Sequence, residues 1–339
     1  MRISHTVIPP TVPILDIKNA RDLMAQGWAA ADLHVHTLHS YDVIPTRQVD
    51  PLTLYLTARG LGMTYVAFTD HDSMDAYDGV GWTREGLVPA VEVKILDLKE
   101  VGHTVHINVY TLNRSQLREI LKIAQSAQDI ERLVAYLNDE RLLFTFNHPF
   151  WHEPGEKPNL QAILDIVDLF PVLEYNMGRI DRINEQALRL AQSKERGIVA
   201  TTDTHVGDIG RAFTVAQAGT FAEFFDQVRR GRSCIVPADL NLSRLKQETT
   251  IRIRRLLDKA NWLYPKDSFS MDTGSAALDG IIARMAQAHP NTPRLAKKVL
   301  EIILEAASRS GIPGSLYFRS QHNLADRISA LLESAELVV

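Results

Sequence analysis

The sequence predicts an α/β barrel followed by a helical appendage. Three observations predict it. Between residues 28 and 240, short apolar runs alternate with helical patterns. Polar and ionisable residues fall repeatedly where those apolar runs end. After about residue 240 the apolar runs stop, and only amphipathic helical segments remain. Strand, polar end, helix and strand again is the pattern of a parallel α/β domain. In a β/α barrel the strand ends share one face, and that face carries the site. Residues far apart in sequence then converge on one pocket.

The elements follow in order. Residues 1–27 are a Pro-containing lead-in with a short helix near Asn19 to Gln26. Ala29 to His36 is a short strand ending in polar residues. Pro51 to Leu61 is a helix, with Asp50 as N-cap and Pro51 at its first position. Met63 to Thr69 is a buried strand running into Asp70-His71-Asp72. Leu87 to Val93 and Thr104 to Tyr110 are strands carrying Glu92 and His106. Residues 114–139 read as helical, with Leu117, Ile120, Leu121 and Ile123 at three-to-four spacing. Leu142 to Asn147 is a strand that meets His148-Pro149. Asp165 to Tyr175 contains another, ending near Glu174 and Asn176. Arg182 to Arg196 is a helix stopped by Gly197. Ile198 to Thr202 is a strand before Asp203-Thr204-His205. Phe221 to Arg230 is a helix, and Cys234 to Val236 closes the unit. A boundary near 238–245 divides the chain into the lead-in 1–27, the barrel domain 28–240 and a helical region 241–339. In that last region 249–263, 276–288, 293–310 and 324–337 read as amphipathic helices.

Composition excludes several function classes. The chain has 339 residues, with 37 Lys+Arg against 41 Asp+Glu and a formal net charge of -4. That argues against an overall basic coat for nucleic acid, while leaving a local groove open. Cys234 is the sole cysteine, so there is no disulfide framework, cysteine zinc ribbon or redox pair. No run has the length and apolarity of a membrane span, and the first residues lack a continuous apolar core. A cytoplasmic protein without a membrane partner is the expectation.

The histidines carry the chemistry. His34 and His36 flank Val35, so both imidazoles face one side of the strand. Two same-facing histidines can start a transition-metal site. The pair alone reads equally as two polar residues at a strand mouth. Asp42 follows in a loop, where an aspartate usually makes a turn. His71 lies between Asp70 and Asp72, and carboxylates beside a ligating histidine orient its ring. Asp72 is also placed to cap the next helix. Glu92 stands in an apolar run and there needs a partner or a metal. His106 lies deeper in its strand than His103, which competes with it. His148, Asp203 and His205 each follow an apolar run. Together, six histidines, two aspartates and one glutamate lie at successive strand ends.

These residues resemble the motifs of the PHP (polymerase and histidinol phosphatase) superfamily of metal-dependent phosphoesterases. The motifs are Asp32-Leu33-His34-Val35-His36-Thr37 with Ser40-x-Asp42, then Thr69-Asp70-His71-Asp72, Glu92, His106, Asn147-His148-Pro149 and Thr202-Asp203-Thr204-His205. Glu174-Tyr175-Asn176 is similar to the family's Glu-x-Asn strand, and Gly210-Arg211-Ala212-Phe213-Thr214 to its Gly-Arg-x-x-Thr turn. The resemblance runs from about 28 to 240. It implies a distorted (β/α)7 barrel with a three-metal cluster at its mouth. His34, His36, Glu92 and Asp203 would hold one metal. Glu92 would bridge to a second, held also by His106 and His148. Asp42, His71 and His205 would hold the third. Many relatives have Ser-Asp-Gly where this chain has Ser40-Tyr41-Asp42, and His39 is a spare candidate.

The implied activity is hydrolysis of a phosphomonoester or small phosphodiester, by a hydroxide held between metals of a trinuclear site. Two to three zinc, manganese or iron ions are the implied cofactor. Asp70 and Asp72 are candidates for orienting ligands. Arg179 and Arg211 could clamp phosphate through two parallel hydrogen bonds. Rival readings are hydrolysis of a non-phosphate bond and a non-catalytic, metal-stabilised regulatory module. The expected partner is a small phosphorylated substrate, with a short oligonucleotide also open. In the appendage, Arg244, Lys246, Arg252, Arg254, Arg255 and Lys259 make a basic stretch that could steer an anion. The apolar Ile251, Ile253, Leu256, Leu257 and Trp262 point instead to a helix packed on the barrel or on another copy of the chain.

Overall fold

The computed structural model describes residues 12–153, 155–266 and 312–335. The expected helices 276–288 and 293–310 lie outside the described residues. Nine strands form the sheet: β1 (Ala29–Val35), β2 (Tyr65–Phe68), β3 (Leu87–Leu96), β4 (Thr104–Tyr110), β5 (Leu143–Phe146), β6 (Val172–Asn176), β7 (Gly197–Thr201), β8 (Phe213–Ala216) and β9 (Cys234–Val236). Their order is β7-β6-β5-β4-β3-β2-β1-β8-β9. The two ends of this sheet curl toward each other. Asp203 N donates to His34 O at 2.8 Å, and His36 N donates to Thr204 O at 3.1 Å. Ala200 N donates to Thr214 Oγ1 at 2.8 Å. The sheet is thereby nearly closed into a barrel, as the sequence predicts.

The expectation of parallel strands fails in two places. β4 is antiparallel to both β3 and β5, and β8 is antiparallel to both β1 and β9. The other strands run one way. Chain length explains the reversal of β4. Residues 97–103 alone separate it from β3, and a parallel crossover needs a dozen residues or more. The reversal has a consequence for the site. His106 lies near the start of β4, paired in register with Lys94. Because β4 runs backwards, its start lies where its neighbours end.

Helices cover the sheet. They are α1 (Ile17–Ala25), α2 (Pro51–Gly60), α3 (Ala76–Val80), α4 (Arg114–Lys122), α5 (Ile130–Asp139), α6 (Leu160–Ile166), α7 (Asp181–Ser193), α8 (Phe221–Arg229), α9 (Leu242–Leu257) and α10 (Ile312–Ser334). Asp50 caps α2 as expected, accepting from Leu52 N and Thr53 N, both at 3.1 Å. The helix expected over 114–139 is broken. A π turn spans Ile123–Ala127, Gln128 takes a left-handed φ of 52°, and Asp129 caps α5. Gly197 does not stop α7. That helix ends at Ser193, and Glu195 takes the left-handed turn. Gly197 is required for a different reason: a Cβ there would lie 2.4 Å from Val228 O of α8.

The helix expected at 324–337 begins earlier, at Ile312. Leu324, Ala325, Ile328 and Leu332 of α10 are buried in the main hydrophobic cluster. The helix lies on α7, where Asp326 pairs with Arg182 at 2.5 Å. α9 buries Ile253 and Leu256, which bears out packing for that helix. Ile328→Ala removes a fully buried branched side chain. It is expected to lower unfolding free energy by about 2–5 kcal/mol. Urea unfolding measures this, and a change below about 0.5 kcal/mol, the size of a surface substitution, would show α10 undocked.

Candidate metal centre

Glu92 stands at the centre of the barrel mouth. β3 carries it between buried Val91 and Val93, and it is 1% exposed. Its Oε2 lies 3.3 Å from His34 Nε2, 3.2 Å from His36 Nε2 and 3.1 Å from His71 Nδ1. Its Oε1 lies 3.1 Å from His106 Nδ1 and 3.4 Å from His148 Nε2. His71 is drawn in by the backbone, since Glu92 N donates to Asp70 O and Asp72 N to Glu92 O. On the far side, Asp203 Oδ1 lies 3.3 Å from His34 Nε2 and 3.1 Å from His36 Nε2. His205 Nε2 is 2.6 Å from Asp42 Oδ2, and His71 Nε2 is 3.5 Å from the same oxygen. All nine expected metal residues are therefore brought together.

Three groups of donors lie close enough to share a cation: His36, Asp42, His71 and His205; His34, His36 and Glu92; and His71, Glu92 and His106. These divide the residues differently from the expected sets: Asp203 and His148 fall in none of the three groups, and two donors are shared in ways not expected. His36 also belongs with Asp42, and His71 also belongs with Glu92.

A ring of polar residues holds these donors, and the sequence reading passed over most of it. Glu174 accepts from His34 Nδ1 at 2.6 Å, Thr201 Oγ1 at 2.5 Å, His148 N at 2.8 Å and Asn176 Nδ2 at 2.9 Å. Such a partner fixes the ring and the tautomer that it presents to a metal. Ser40 Oγ donates to Asp42 Oδ1 at 2.7 Å and lies 3.1 Å from His36 Nδ1. Asn147 Nδ2 donates to Glu92 Oε1 at 2.8 Å. The signal for Glu174 was present: an acid within an apolar strand, as for Glu92. His103 instead accepts from Asn159 N at 3.3 Å, away from the cluster.

Asp70 and Asp72 do not orient a ligand ring as expected. Asp70 accepts from Thr37 N and Thr37 Oγ1, both at 2.6 Å. Asp72 accepts from Lys94 N at 3.3 Å and Gln125 Nε2 at 3.2 Å. Asp32 repeats the pattern of Asp70, accepting from Thr202 N at 3.1 Å and Thr202 Oγ1 at 2.7 Å. Each of these threonines adjoins a donor, so both carboxylates fix the backbone that bears one. Asp72, His148 and Asp203 also take positive φ values of 53°, 26° and 49°. Backbone in this region is costly for residues other than glycine and gathers at functional sites.

The carboxylates favour positive charge on the two imidazoles of β1 and its end. Burial alone would lower the His34 imidazole, but Asp203, Glu92 and Glu174 raise it well above its ordinary value. Burial likewise opposes His36, and Asp203 and Glu92 raise it to about 10. His106 goes the other way, to about 3, because burial outweighs Glu92. Burial would raise Glu92 and Asp42, but the surrounding histidines hold both well below the carboxylate range. The buried His106 Nε2 has no hydrogen-bond partner, and His71 Nδ1 faces only Glu92 Oε2 at 3.1 Å. An orphaned imidazole nitrogen beside shared carboxylates fits divalent cations with mixed nitrogen and oxygen ligation.

The two arginines part company. The Arg179 guanidinium lies 5.5 Å over the Trp151 ring, itself 4.7 Å from His106 and 5.1 Å from His148. That places Arg179 at the rim of the cluster. Arg211 is more than half exposed and faces Asp208 at 3.6 Å, so it belongs to a surface ion pair. Tyr41 stacks on His71 at 4.8 Å.

No family model matches the chain, and no curated protein matches it. Solved structures do. PsfC from Pseudomonas syringae is 18% identical, with 67% of this chain and 98% of that chain covered and a TM-score of 0.47. The lesion-specific endonuclease PfuEndoQ from Pyrococcus furiosus is 16% identical, with 61% and 57% covered and a TM-score of 0.44. A protein assigned as a metal-dependent phosphoesterase from Bifidobacterium adolescentis is 16% identical, with 53% and 90% covered and a TM-score of 0.38. At these identities the likeness is one of fold alone. No helix among the described residues is long and apolar enough to cross a membrane.

Glu174→Ala would strip four buried donors of their acceptor. Unfolding free energy of the metal-free chain is expected to fall by about 3–5 kcal/mol. Denaturant unfolding measures this, and a neutral result would mean that the Glu174 network is dispensable.

Proposed function

We propose that this protein is a metal-dependent phosphoesterase that hydrolyses a phosphomonoester or a small phosphodiester. The single observation that carries the reading is the clustering of five imidazoles on Glu92 at the barrel mouth, with His106 Nε2 buried and unpartnered. The motif resemblance to the PHP superfamily supports the choice of phosphate esters. His34, His36, Asp42, His71, Glu92, His106, His148, Asp203 and His205 would hold two to three zinc, manganese or iron ions. Such ions supply Lewis acidity and neutralise the charge of a phosphoryl group.

The chain's own groups have separate tasks. Glu174 holds His34 by its Nδ1, leaving Nε2 directed at the cluster. Ser40 holds Asp42 and lies against His36. Asp70 and Asp32 fix Thr37 and Thr202, and so the main chain on which His36 and Asp203 sit. Arg179, spread over Trp151, supplies fixed positive charge and hydrogen-bond donors for a phosphate oxygen at the rim. A rigid, buried set of this kind orients substrate without reorganising during the reaction.

The substrate reading has two rivals, which the same experiment separates. His34→Ala and His71→Ala are each expected to abolish turnover of phosphomonoesters while far-UV circular dichroism is retained. Chelation should do the same, with recovery on adding manganese or zinc. Inhibition by inorganic phosphate or vanadate favours phosphate chemistry, whereas activity on amides alone would assign another bond. Full activity in both variants would sink the proposal. Tight metal binding with no hydrolysis across a phosphoester screen would leave a metal-stabilised module.

A further inference from the structure

Of the six candidate donors that lie outside the strands, Asp42 and His205 stand farthest beyond a strand end. Their position depends on what holds the loops. For the Asp42 loop, much of the answer comes from the segment that follows α9. The Tyr264 hydroxyl donates to Leu38 O. Lys266 Nζ donates to Ser40 O, and to Val43 O at 2.8 Å. Leu263 N donates to Pro45 O at 2.8 Å. The Tyr264 ring packs on Leu38, Val43 and Val49. Four carbonyls between residues 38 and 45 are thus held from one short stretch of chain.

The His205 loop is held from α9 itself. Arg255 donates to Val206 O at 3.0 Å. Arg244, almost fully buried, pairs with Asp208 at 2.7 Å, and Asp208 accepts from Thr204 Oγ1 at 2.5 Å. Trp262 Nε1 donates to Arg255 O at 2.8 Å, which joins the two halves of this segment. The two loops meet where His205 Nε2 approaches Asp42 Oδ2 at 2.6 Å.

We infer that Arg244 to Lys266 form a clamp that positions Asp42 and His205, and so sets the cation affinity of the group His36, Asp42, His71 and His205. The inference rests on the proposed metal centre and assigns the C-terminal region a part in it. The clamp acts most directly on that group, since Asp42 and His205 belong to it alone. The other two groups share His36 and His71 with it, both of which touch Ser40, but take His34, Glu92 and His106 from β1, β3 and β4. Arg244 and Arg255, part of the basic stretch that could steer an anion, turn inward to the Asp208 carboxylate and a loop carbonyl. Lys266, Arg255 and Tyr264 are positioning residues, since each acts through the loop backbone.

The test uses the full chain as Lys266→Met, Lys266→Arg and Arg255→Met. Each is loaded with manganese or zinc, and bound ions are counted by elemental mass spectrometry across a metal titration. Lys266→Met and Arg255→Met are expected to lose one ion, or to hold one about 10–100-fold more weakly, with the other ions retained. Lys266→Arg, which keeps a cationic donor, should restore wild-type binding. Equal count and affinity in Lys266→Met and wild type would overturn the clamp while leaving the centre intact. Loss of every ion in Lys266→Met would overturn its selectivity. A wild-type chain that binds no metal would overturn the underlying functional reading instead.

Discussion

The meeting of Glu92 with five histidines is the interaction on which the rest of the structure depends. A carboxylate 1% exposed is costly unless charge and hydrogen bonds surround it. The histidines answer the first need, and Asn147 answers part of the second. They in turn require further carboxylates: Asp203 beside His34 and His36, Asp42 beside His71 and His205, and Glu174 behind His34. Charge thus accumulates at one end of the barrel in layers, each making the next tolerable. In a low-dielectric site, a network of this kind is valuable when complete and expensive when broken.

The scaffold meets this demand with ordinary devices. Strands fix His34, Glu92 and His106, because a paired backbone leaves a side chain little choice of direction. Where the donors follow a strand end, a buried acid grips a threonine beside them, as Asp70 grips Thr37 and Asp32 grips Thr202. Where a donor lies farther out on a loop, an outside segment takes up the loop's carbonyls.

Much of the fold was legible in the sequence. The placement of strands and helices followed from apolar spacing and from caps such as Asp50. Most of the nine candidate donors stood out as ionisable residues in or after apolar runs. Asp42 and the full set came from the motif resemblance, and the structure gathers them. The direction of β4 was not legible, because a buried strand reads the same both ways, and β8 itself went unread, its four residues overlapping a turn motif. The break at Gln128 and Asp129 lay hidden inside helical spacing. Glu174 was quoted in a motif but given no role, because its partners, His34 and Thr201, are remote or adjacent in ways that periodicity does not reveal. Asp70 and Asp72 looked like partners of His71 because they adjoin it. Adjacent residues on an extended chain point apart, and Asp70 serves Thr37 instead.

The reversal of β4 divides the site by how far the chain must travel to build it. Glu92 and His106 meet across the turn of a hairpin, 14 residues apart. Asp32 and Thr202, which fasten the barrel's seam, are 170 residues apart. Loop-closure entropy grows with the logarithm of length, so the seam costs about 2 kcal/mol more to join than the hairpin. One half of the mouth is therefore local and the other belongs to the whole ring. The hairpin half can exist as soon as two neighbouring strands pair. The half around Asp203 exists only while the ring is shut, so its geometry records the integrity of the entire barrel.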